Sequence, residues 1–175
     1  MSSSFKESFG DVYDQHVREL FSFIYYKTHH KETAEDLTSQ VFTKALSKIG
    51  RFDPNKGTIR SWLYEIARNT VVDFYRTHKS EQSIEDAWGI ASSDDPLARA
   101  DVAISFAQVR PYLQSLSSEQ RDIITMRVWQ EMSYAEIAEA LGKSEASCKM
   151  AYSRGIAVLR KSLLPSAFLF FLMMS

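Results

Sequence analysis

Basic and aromatic side chains are interleaved along one amphipathic segment, at about residues 58–78, in a pattern suited to nucleic-acid binding. A helical wheel places its apolar residues on one side. The opposite side carries a mixed set, with Asn69 at its margin: Tyr64, Arg68, Val72, Tyr75 and Arg76. Arginines can track phosphates, and aromatic rings can stack on unpaired bases. A face that contacts only solvent rarely carries side chains such as Tyr64, Val72 and Tyr75. This face therefore indicates a surface for nucleic acid or for a protein.

A second candidate binding element lies near the C-terminus. Ser133 and Glu136 have the spacing of a capping box, which predicts the start of a short helix. Gly142 suits the left-handed residue that ends such a helix. The spacing of Ala138, Gly142 and Cys148 is that of a helix-turn-helix, whose second helix would enter a DNA major groove with its N-terminal residues near base edges. A plain helical hairpin with a capped start is the alternative interpretation.

Charge is distributed unevenly along the 175 residues. The 21 basic and 22 acidic side chains give a net charge of −1, which argues against a simple basic nucleic-acid binder. Residues 44–79, however, carry 8 basic and 3 acidic side chains, and residues 143–163 carry 5 and 1. Residues 80–101 between them carry 1 basic and 6 acidic side chains. Both candidate elements therefore lie in basic blocks that an acidic segment separates.

Helical periodicity predicts the elements that position these residues. Three amphipathic helices are predicted at about residues 5–28, 32–49 and 58–78, with a loop at 50–57 that holds two glycines and a proline. Joined by short loops, they would form a small bundle with one core.

The helical period is lost over residues 80–96, which predicts a linker. Helical pattern resumes over 97–116, and the pair Ser117-Ser118 offers an N-cap serine for the next helix. The expected fold is all-α, with two small helical domains joined by a flexible acidic linker. We expect a helical bundle at 1–79, a linker at 80–101, a helix-turn-helix domain at 102–164 and an apolar tail at 165–175.

Several classes of protein are disfavoured by the composition. Cys148 is the only cysteine, so neither an intrachain disulfide nor a cysteine zinc site is expected, and a reducing cytoplasm is the natural location. The first residues have no apolar run of the kind found in a secretory signal. Gly-rich phosphate loops and the HExxH and GxSxG motifs are absent from the sequence. We therefore expect no enzyme activity, no metal and no cofactor.

The two candidate elements, in this order and spacing, resemble the extracytoplasmic-function (ECF) group of bacterial sigma factors. Residues 34–42 through 51–54 are similar to the polymerase-binding segment of the family. Residues 57–69 through 73–76 are similar to the segment that melts and reads the −10 promoter element, and 116–163 to the −35-reading helix-turn-helix. The resemblance covers about residues 9–163. It implies a subunit that directs core RNA polymerase to promoters in an envelope or environmental stress response.

The resemblance also implies roles for individual residues. Core polymerase would be bound by Asp36, Leu37, Gln40 and Phe42. The −10 element would be bound by Arg60, Trp62, Arg68, Asn69, Tyr75 and Arg76, with Asn69 in the pocket for an extruded base. The −35 element would be bound by Ser144, Ser147, Lys149 and Arg154. The implied partners are core polymerase, promoter DNA and an anti-sigma factor, with no small-molecule substrate, and the acidic linker would thread toward the RNA-exit path.

The chain departs from the family pattern at three places. Ser39 and Gln40 stand where Gln-Glu is frequent, which removes one acidic contact, and Ala151 stands where an arginine is usual. The apolar residues 167–174 are too few to span a bilayer, for which about 20 residues are needed. This tail could pack on its domain, dock on a regulator or touch a membrane weakly.

Two other functions fit the same sequence. One is a stand-alone helix-turn-helix regulator whose N-terminal bundle dimerises or senses a ligand, and which would bind palindromic half-sites without polymerase. The other is an interaction protein that sequesters an anti-sigma factor.

Overall fold

In the computed structural model, the described residues are 3–77, 112–113 and 115–162, and every regular element among them is helical. The chain divides into two compact units, residues 1–92 and residues 93–175. The first unit contains α1 (Ser3–Thr28), α2 (Lys31–Lys48), a 3-10 turn (Ile49–Arg51) and α3 (Ile59–Thr77). The second contains α4 (Ser118–Val128), α5 (Tyr134–Leu141) and α6 (Glu145–Ser162). The expected all-α fold is confirmed, and the three predicted N-terminal helices agree with α1–α3 within two residues at each end.

A two-residue turn joins α1 to α2. His29 has the left-handed backbone angle φ 52°, and its N–H donates to the Tyr25 carbonyl over 2.8 Å. His30 then caps α2, because its Nδ1 accepts the N–H of Thr33 at 3.3 Å. Histidine is not among the usual capping residues, which explains why the sequence pattern placed the start of this helix one residue late.

The core of the first unit lies where α1, α2 and α3 pack against one another. It is built from apolar side chains of all three helices, including Leu20, Phe23, Ile24, Ala34, Leu37, Val41, Leu63, Tyr64 and Ala67. The rings of Phe23 and Tyr64 meet edge to face, with centroids 5.1 Å apart. Such pairs add to the stabilisation that burial provides.

Polar contacts also link α3 to its neighbours. Lys44 of α2 donates from Nζ to the hydroxyl of Thr70 at 3.0 Å, at a position where Thr70 is buried. The Tyr75 hydroxyl donates to the carbonyl of Lys27 at 2.8 Å, near the end of α1. The last carbonyls of a helix lack partners within the helix, so Tyr75 satisfies one of them.

In the second unit, α4 and α6 approach closely. Ser117 and Gln120 form a complete capping box at the start of α4, which confirms the predicted N-cap. Gly155 of α6 faces Ile124 of α4, and a Cβ added at Gly155 would lie 2.7 Å from Ile124 Cδ1. The glycine therefore leaves room for the Ile124 side chain between these two helices.

Three sequence predictions fall outside the described residues: the linker 80–101, most of the helix at 97–116 and the tail 165–175. None of the described helices combines the length and apolar character that crossing a membrane requires.

Candidate nucleic-acid interface

The start of α3 is fixed by side chains of the preceding loop. The Ser61 N–H donates to the Thr58 hydroxyl at 3.1 Å, and the two hydroxyls are 2.8 Å apart. Trp62 lies half-buried, with its ring centroid 5.4 Å from that of Phe52. The predicted site residue Trp62 thus packs against the loop and anchors it to the first turn of α3.

One exposed stripe runs along α3. Asn69, Val72 and Arg76 are exposed at helical spacing, and Val72 retains 47% of its accessible surface. Arg76 pairs with Asp73 at 3.0 Å on the same side. Asn69 lies between the exposed Glu65 and Asp73, one turn before and one turn after it, and so at the centre of the exposed face, whereas the helical wheel placed it at the margin.

The predicted exposure of Tyr64 is wrong. Its side chain is fully buried against Phe23, and the Arg60 guanidinium lies 5.9 Å from its ring centroid. The physical reason is that α3 packs against both α1 and α2, so more than half of its circumference is covered. A wheel built on one apolar stripe does not anticipate this second contact.

Two further residues of the predicted face lie at its edge. Arg68 and Tyr75 are each half-buried. Burial raises the pKa of the Tyr75 phenol to about 12, so the hydroxyl stays protonated and continues to donate to the Lys27 carbonyl at physiological pH.

Arg60 has a partner within the protein. Its Nη2 and Nε donate to Oε2 of Glu19 at 2.7 and 3.1 Å, and His16 Nδ1 lies 2.6 Å from Glu19 Oε1. Burial acts to raise the pKa of Glu19, but the hydrogen bonds with His16 and Arg60 outweigh it and hold that pKa below its ordinary value. The Arg60 guanidinium therefore links the first turn of α3 to α1 in this structure.

The predicted polymerase-binding residues lie on two sides of α2. Asp36 and Gln40 are exposed one helical turn apart. Leu37 and Phe42 are only 2% and 5% exposed, and the Phe42 ring lies 4.7 Å from that of Tyr13 on α1. The expectation that Leu37 and Phe42 face a partner directly is thus corrected, because both side chains form part of the bundle core.

The predicted helix-turn-helix geometry is present in the second unit. Ser133 and Glu136 form both hydrogen bonds of the capping box of α5. Gly142 ends the helix at φ 63°, and the Lys143 N–H donates back to the Ala138 carbonyl at 2.9 Å, as in a Schellman turn. Cys148 is fully buried between the helices, and burial raises the pKa of its thiol. Both findings agree with a packing role for this cysteine.

The first turns of α6 hold the predicted −35 residues. Ser144 is exposed, and its hydroxyl accepts the N–H of the half-buried Ser147 at 3.2 Å. Lys149 pairs with Glu145 at 3.2 Å and lies 5.6 Å from the Tyr134 ring centroid, and Arg154 is exposed five residues further on.

Sequence reasoning missed one exposed residue of α6. Met150 retains 55% of its accessible surface. The signal that could have found it is an apolar residue directly after Lys149, near the start of the second helix of the predicted helix-turn-helix.

Comparisons with known proteins agree with both halves of the sequence interpretation. The family model for Sigma-70 region 2 matches residues 12–81, and that for Sigma-70, region 4 matches residues 107–159.

Among the described residues, no group of three or more His, Cys, Asp or Glu side chains could hold a metal ion.

Two curated relatives and one solved structure are similar over most of the chain. RNA polymerase sigma factor YlaC of Bacillus subtilis is 32% identical over 165 residues, which cover 92% of this chain and 95% of YlaC. ECF RNA polymerase sigma factor BldN of Streptomyces coelicolor is 32% identical over 160 residues, 90% of this chain but 61% of BldN. The sigma factor RpoE, solved with the anti-sigma factor NepR from Bartonella quintana, shares the fold with a TM-score of 0.68 at 22% identity, over 89% of this chain and 96% of that one.

Members of the family that these matches define direct RNA polymerase to promoters and promote the initiation of transcription. Both matched regions occur here in the order that the sequence resemblance implied. The chain belongs to the ECF group of RNA polymerase sigma factors.

Proposed function

We propose that this sigma factor uses three separate exposed faces, one for core RNA polymerase, one for the melted −10 strand and one for the −35 duplex. The observation that carries the proposal is the position of Asn69. It lies at the centre of the only side of α3 that α1 and α2 leave uncovered among the described residues. An exposed amide beside Val72 and Arg76 offers hydrogen bonds to a base edge, an apolar contact and a phosphate contact on adjacent turns.

The role of Asn69 is to receive an extruded base. Arg68, Tyr75 and Arg76 border it and would follow the neighbouring strand, while Trp62 supports the adjacent loop through Phe52. Arg60 contributes by holding the start of α3 on Glu19. In this arrangement Leu37 and Phe42 likewise act from the core, by fixing the orientation of α2.

Polymerase binding is assigned to the exposed face of α2. Asp36 and Gln40 lie one turn apart there, with Glu32 one turn before and Thr43 one turn after, all exposed. This face is polar and acidic, so it suits a partner surface that carries basic and hydrogen-bonding groups.

The −35 duplex is assigned to α6. Exposed Ser144 and Arg154 and the partly paired Lys149 lie along its outer side, within the basic segment 143–163. The domain division that accompanies this proposal is 1–79 for polymerase and −10 binding, 80–101 for the linker, 102–164 for −35 binding and 165–175 for the tail.

Control and location follow the same proposal. The structurally similar sigma factor RpoE was solved with an anti-sigma factor. We extend this mode of control to the present chain, together with a cytoplasmic location, a role in an envelope or environmental stress response and a binding function without catalysis. An anti-sigma factor that covered the α2 and α3 faces would block polymerase and DNA at once.

Reconstituted transcription tests the proposal. Core polymerase loaded with the full chain is used to select promoter fragments from genomic DNA of the host, and run-off transcripts and permanganate-reactive thymines are then measured. We expect Asn69→Ala to abolish opening of duplex promoters while −35 binding persists, and a template already melted at the −10 element to restore transcription. Glu65→Ala, an exposed change one turn away, is the matched control and should retain opening.

Three results would overturn the proposal. The first is the absence of any promoter-dependent transcript with core polymerase. The second is normal promoter opening by Asn69→Ala. The third is sequence-specific footprinting of palindromic duplex sites by the protein alone, which would identify a stand-alone helix-turn-helix regulator.

A further inference from the structure

Met150 is unusually exposed for a large apolar residue. It lies in the second turn of α6 and retains 55% of its accessible surface, the highest value among the large apolar side chains of the described residues. The helix has a well-packed opposite side, since Cys148, Gly155 and Leu159 are buried. An unburied thioether on such an ordered helix needs a physical explanation beyond the fold itself.

The neighbours of Met150 on its face are mostly small. Ala146 lies one turn before it, and Ser153 and Ala157 follow at three and seven residues, all exposed. Arg154 lies one turn after it and is the only charged member of this set. Short side chains on either side let a surface approach the helix closely at Met150, whose longer side chain extends beyond them.

The adjacent cation is drawn away from this face. Lys149 Nζ lies 3.2 Å from Glu145 Oε2 and 5.6 Å from the Tyr134 ring centroid, so its charge is directed toward α5. Two long side chains on the outward side of α6, between residues 146 and 157, make no ion pair or ring contact within the described residues. They are Met150 and Arg154.

We propose that Met150 determines −35 specificity by contacting the C5-methyl group of a thymine in the major groove. This inference rests on the proposed placement of α6 against the −35 duplex. In the major groove only thymine presents a methyl group, so an apolar side chain there selects T over the other bases. The unbranched and polarisable methionine side chain can adjust to reach that methyl. The basic segment around it favours DNA over an apolar protein partner as the occupant of this face.

Replacing thymine with deoxyuridine tests this contact, because the change removes the methyl group and leaves base pairing intact. Holoenzyme containing the full chain first selects −35 sequences from a randomised promoter library. Each thymine of the selected element is then replaced singly, and holoenzyme affinity is measured. Burial of one methyl group corresponds to about a fourfold change in affinity, so we expect one position to weaken wild-type binding about fourfold.

The variants identify the residue that senses the methyl group. Met150→Ala should bind thymine and deoxyuridine templates equally at that position and should select T less strongly from the library. Met150→Leu should retain the penalty, because it keeps an apolar side chain. Glu131→Ala, an exposed change in the turn between α4 and α5, should retain the wild-type penalty.

The outcomes separate this inference from the proposed function. Selective binding that is indifferent to deoxyuridine at every −35 position would overturn the Met150 inference alone. Retention of the full penalty by Met150→Ala would also overturn it, because a different residue would then sense the methyl group. A holoenzyme that selects no −35 sequence would overturn both proposals.

Discussion

Arg60 of α3 and Glu19 of α1 are 41 residues apart in sequence and form a two-point ion pair, with Nη2 and Nε of the arginine 2.7 and 3.1 Å from Glu19 Oε2. Both side chains are mostly shielded, at 23% and 22% exposure. The Nδ1 atom of His16 lies 2.6 Å from Oε1, the other carboxylate oxygen of Glu19. The pair joins the first turn of the helix that carries Asn69 to the longest helix of the bundle, so its loss should affect both the stability of the unit and the position of the proposed −10 face.

Replacing Glu19 with glutamine should destabilise the first unit. The change removes the charge that Arg60 and His16 contact, and hydrogen bonds to charged groups contribute about 1.5–3 kcal/mol each before solvent exposure is discounted. We expect a loss of about 1–2 kcal/mol in the free energy of unfolding, measured by urea denaturation. Glu35→Gln is the matched control, because Glu35 is exposed and lies 3.9 Å from Lys31. Equal losses in the two variants would contradict the prediction.

The Glu19 contribution should also depend on pH. Its folded-state pKa is lowered, so the stabilisation is complete above the pKa of the unfolded chain, about 4.3, and is lost as pH falls through the lower folded value. The difference in unfolding free energy between wild type and Glu19→Gln should therefore be present at pH 5 and should shrink in more acidic solution. A difference that grows on acidification would show the opposite sign of coupling.

An alanine at Gly155 should destabilise the second unit. The new methyl group would lie 2.7 Å from Cδ1 of the fully buried Ile124, and overpacking costs about 1–3 kcal/mol. The higher helix propensity of alanine offsets about 1 kcal/mol of this cost. We therefore expect the free energy of unfolding to fall by up to about 2 kcal/mol. Adding Ile124→Val removes the clashing carbon and should restore part of this loss.

Gly10 provides the control for Gly155→Ala. It is exposed in α1 and has nothing within 4 Å of an added Cβ. Gly10→Ala should therefore stabilise the protein by helix propensity alone. Stabilisation by both alanine substitutions would show that the contact between α4 and α6 is not tight.

Glycine at position 131 should stabilise the turn between α4 and α5. Glu131 is exposed and adopts φ 51°, a conformation that costs an L-residue about 1–2 kcal/mol. Glycine relieves that cost, but it raises the entropy of the unfolded chain, which lowers stability by about 0.4–1 kcal/mol. The free energy of unfolding, measured by thermal denaturation, should therefore increase by about 0.5–1 kcal/mol. Glu131→Ala keeps the Cβ and should change stability little. A gain with alanine equal to that with glycine would contradict the backbone explanation.

Features encoded locally were predictable from the sequence. The capping box at Ser133 and Glu136 and the left-handed Gly142 depend on residues a few positions apart, and both occur as predicted. The helices of the first unit were placed within two residues because their apolar period is regular.

Features that depend on which helices meet were not predictable. Tyr64 is buried because it packs against Phe23 of α1. Arg60 forms an ion pair because Glu19 of α1 lies beside it. The role of Gly155 was not predictable either, because the sequence does not show that Ile124 of α4 packs against this position of α6. Leu37 and Phe42 were assigned to a partner surface by resemblance, whereas their burial places them in the core of the bundle.

The serine caps at Ser117, Ser133 and Ser144 have a consequence for folding kinetics. Each cap bonds to a residue three positions later, so the three helices of the second unit begin at points fixed by their own neighbouring sequence. The three helices also follow one another directly along residues 118–162, and small helical domains rich in local contacts typically fold in microseconds to milliseconds. We expect the helix-turn-helix to form soon after its residues leave the ribosome.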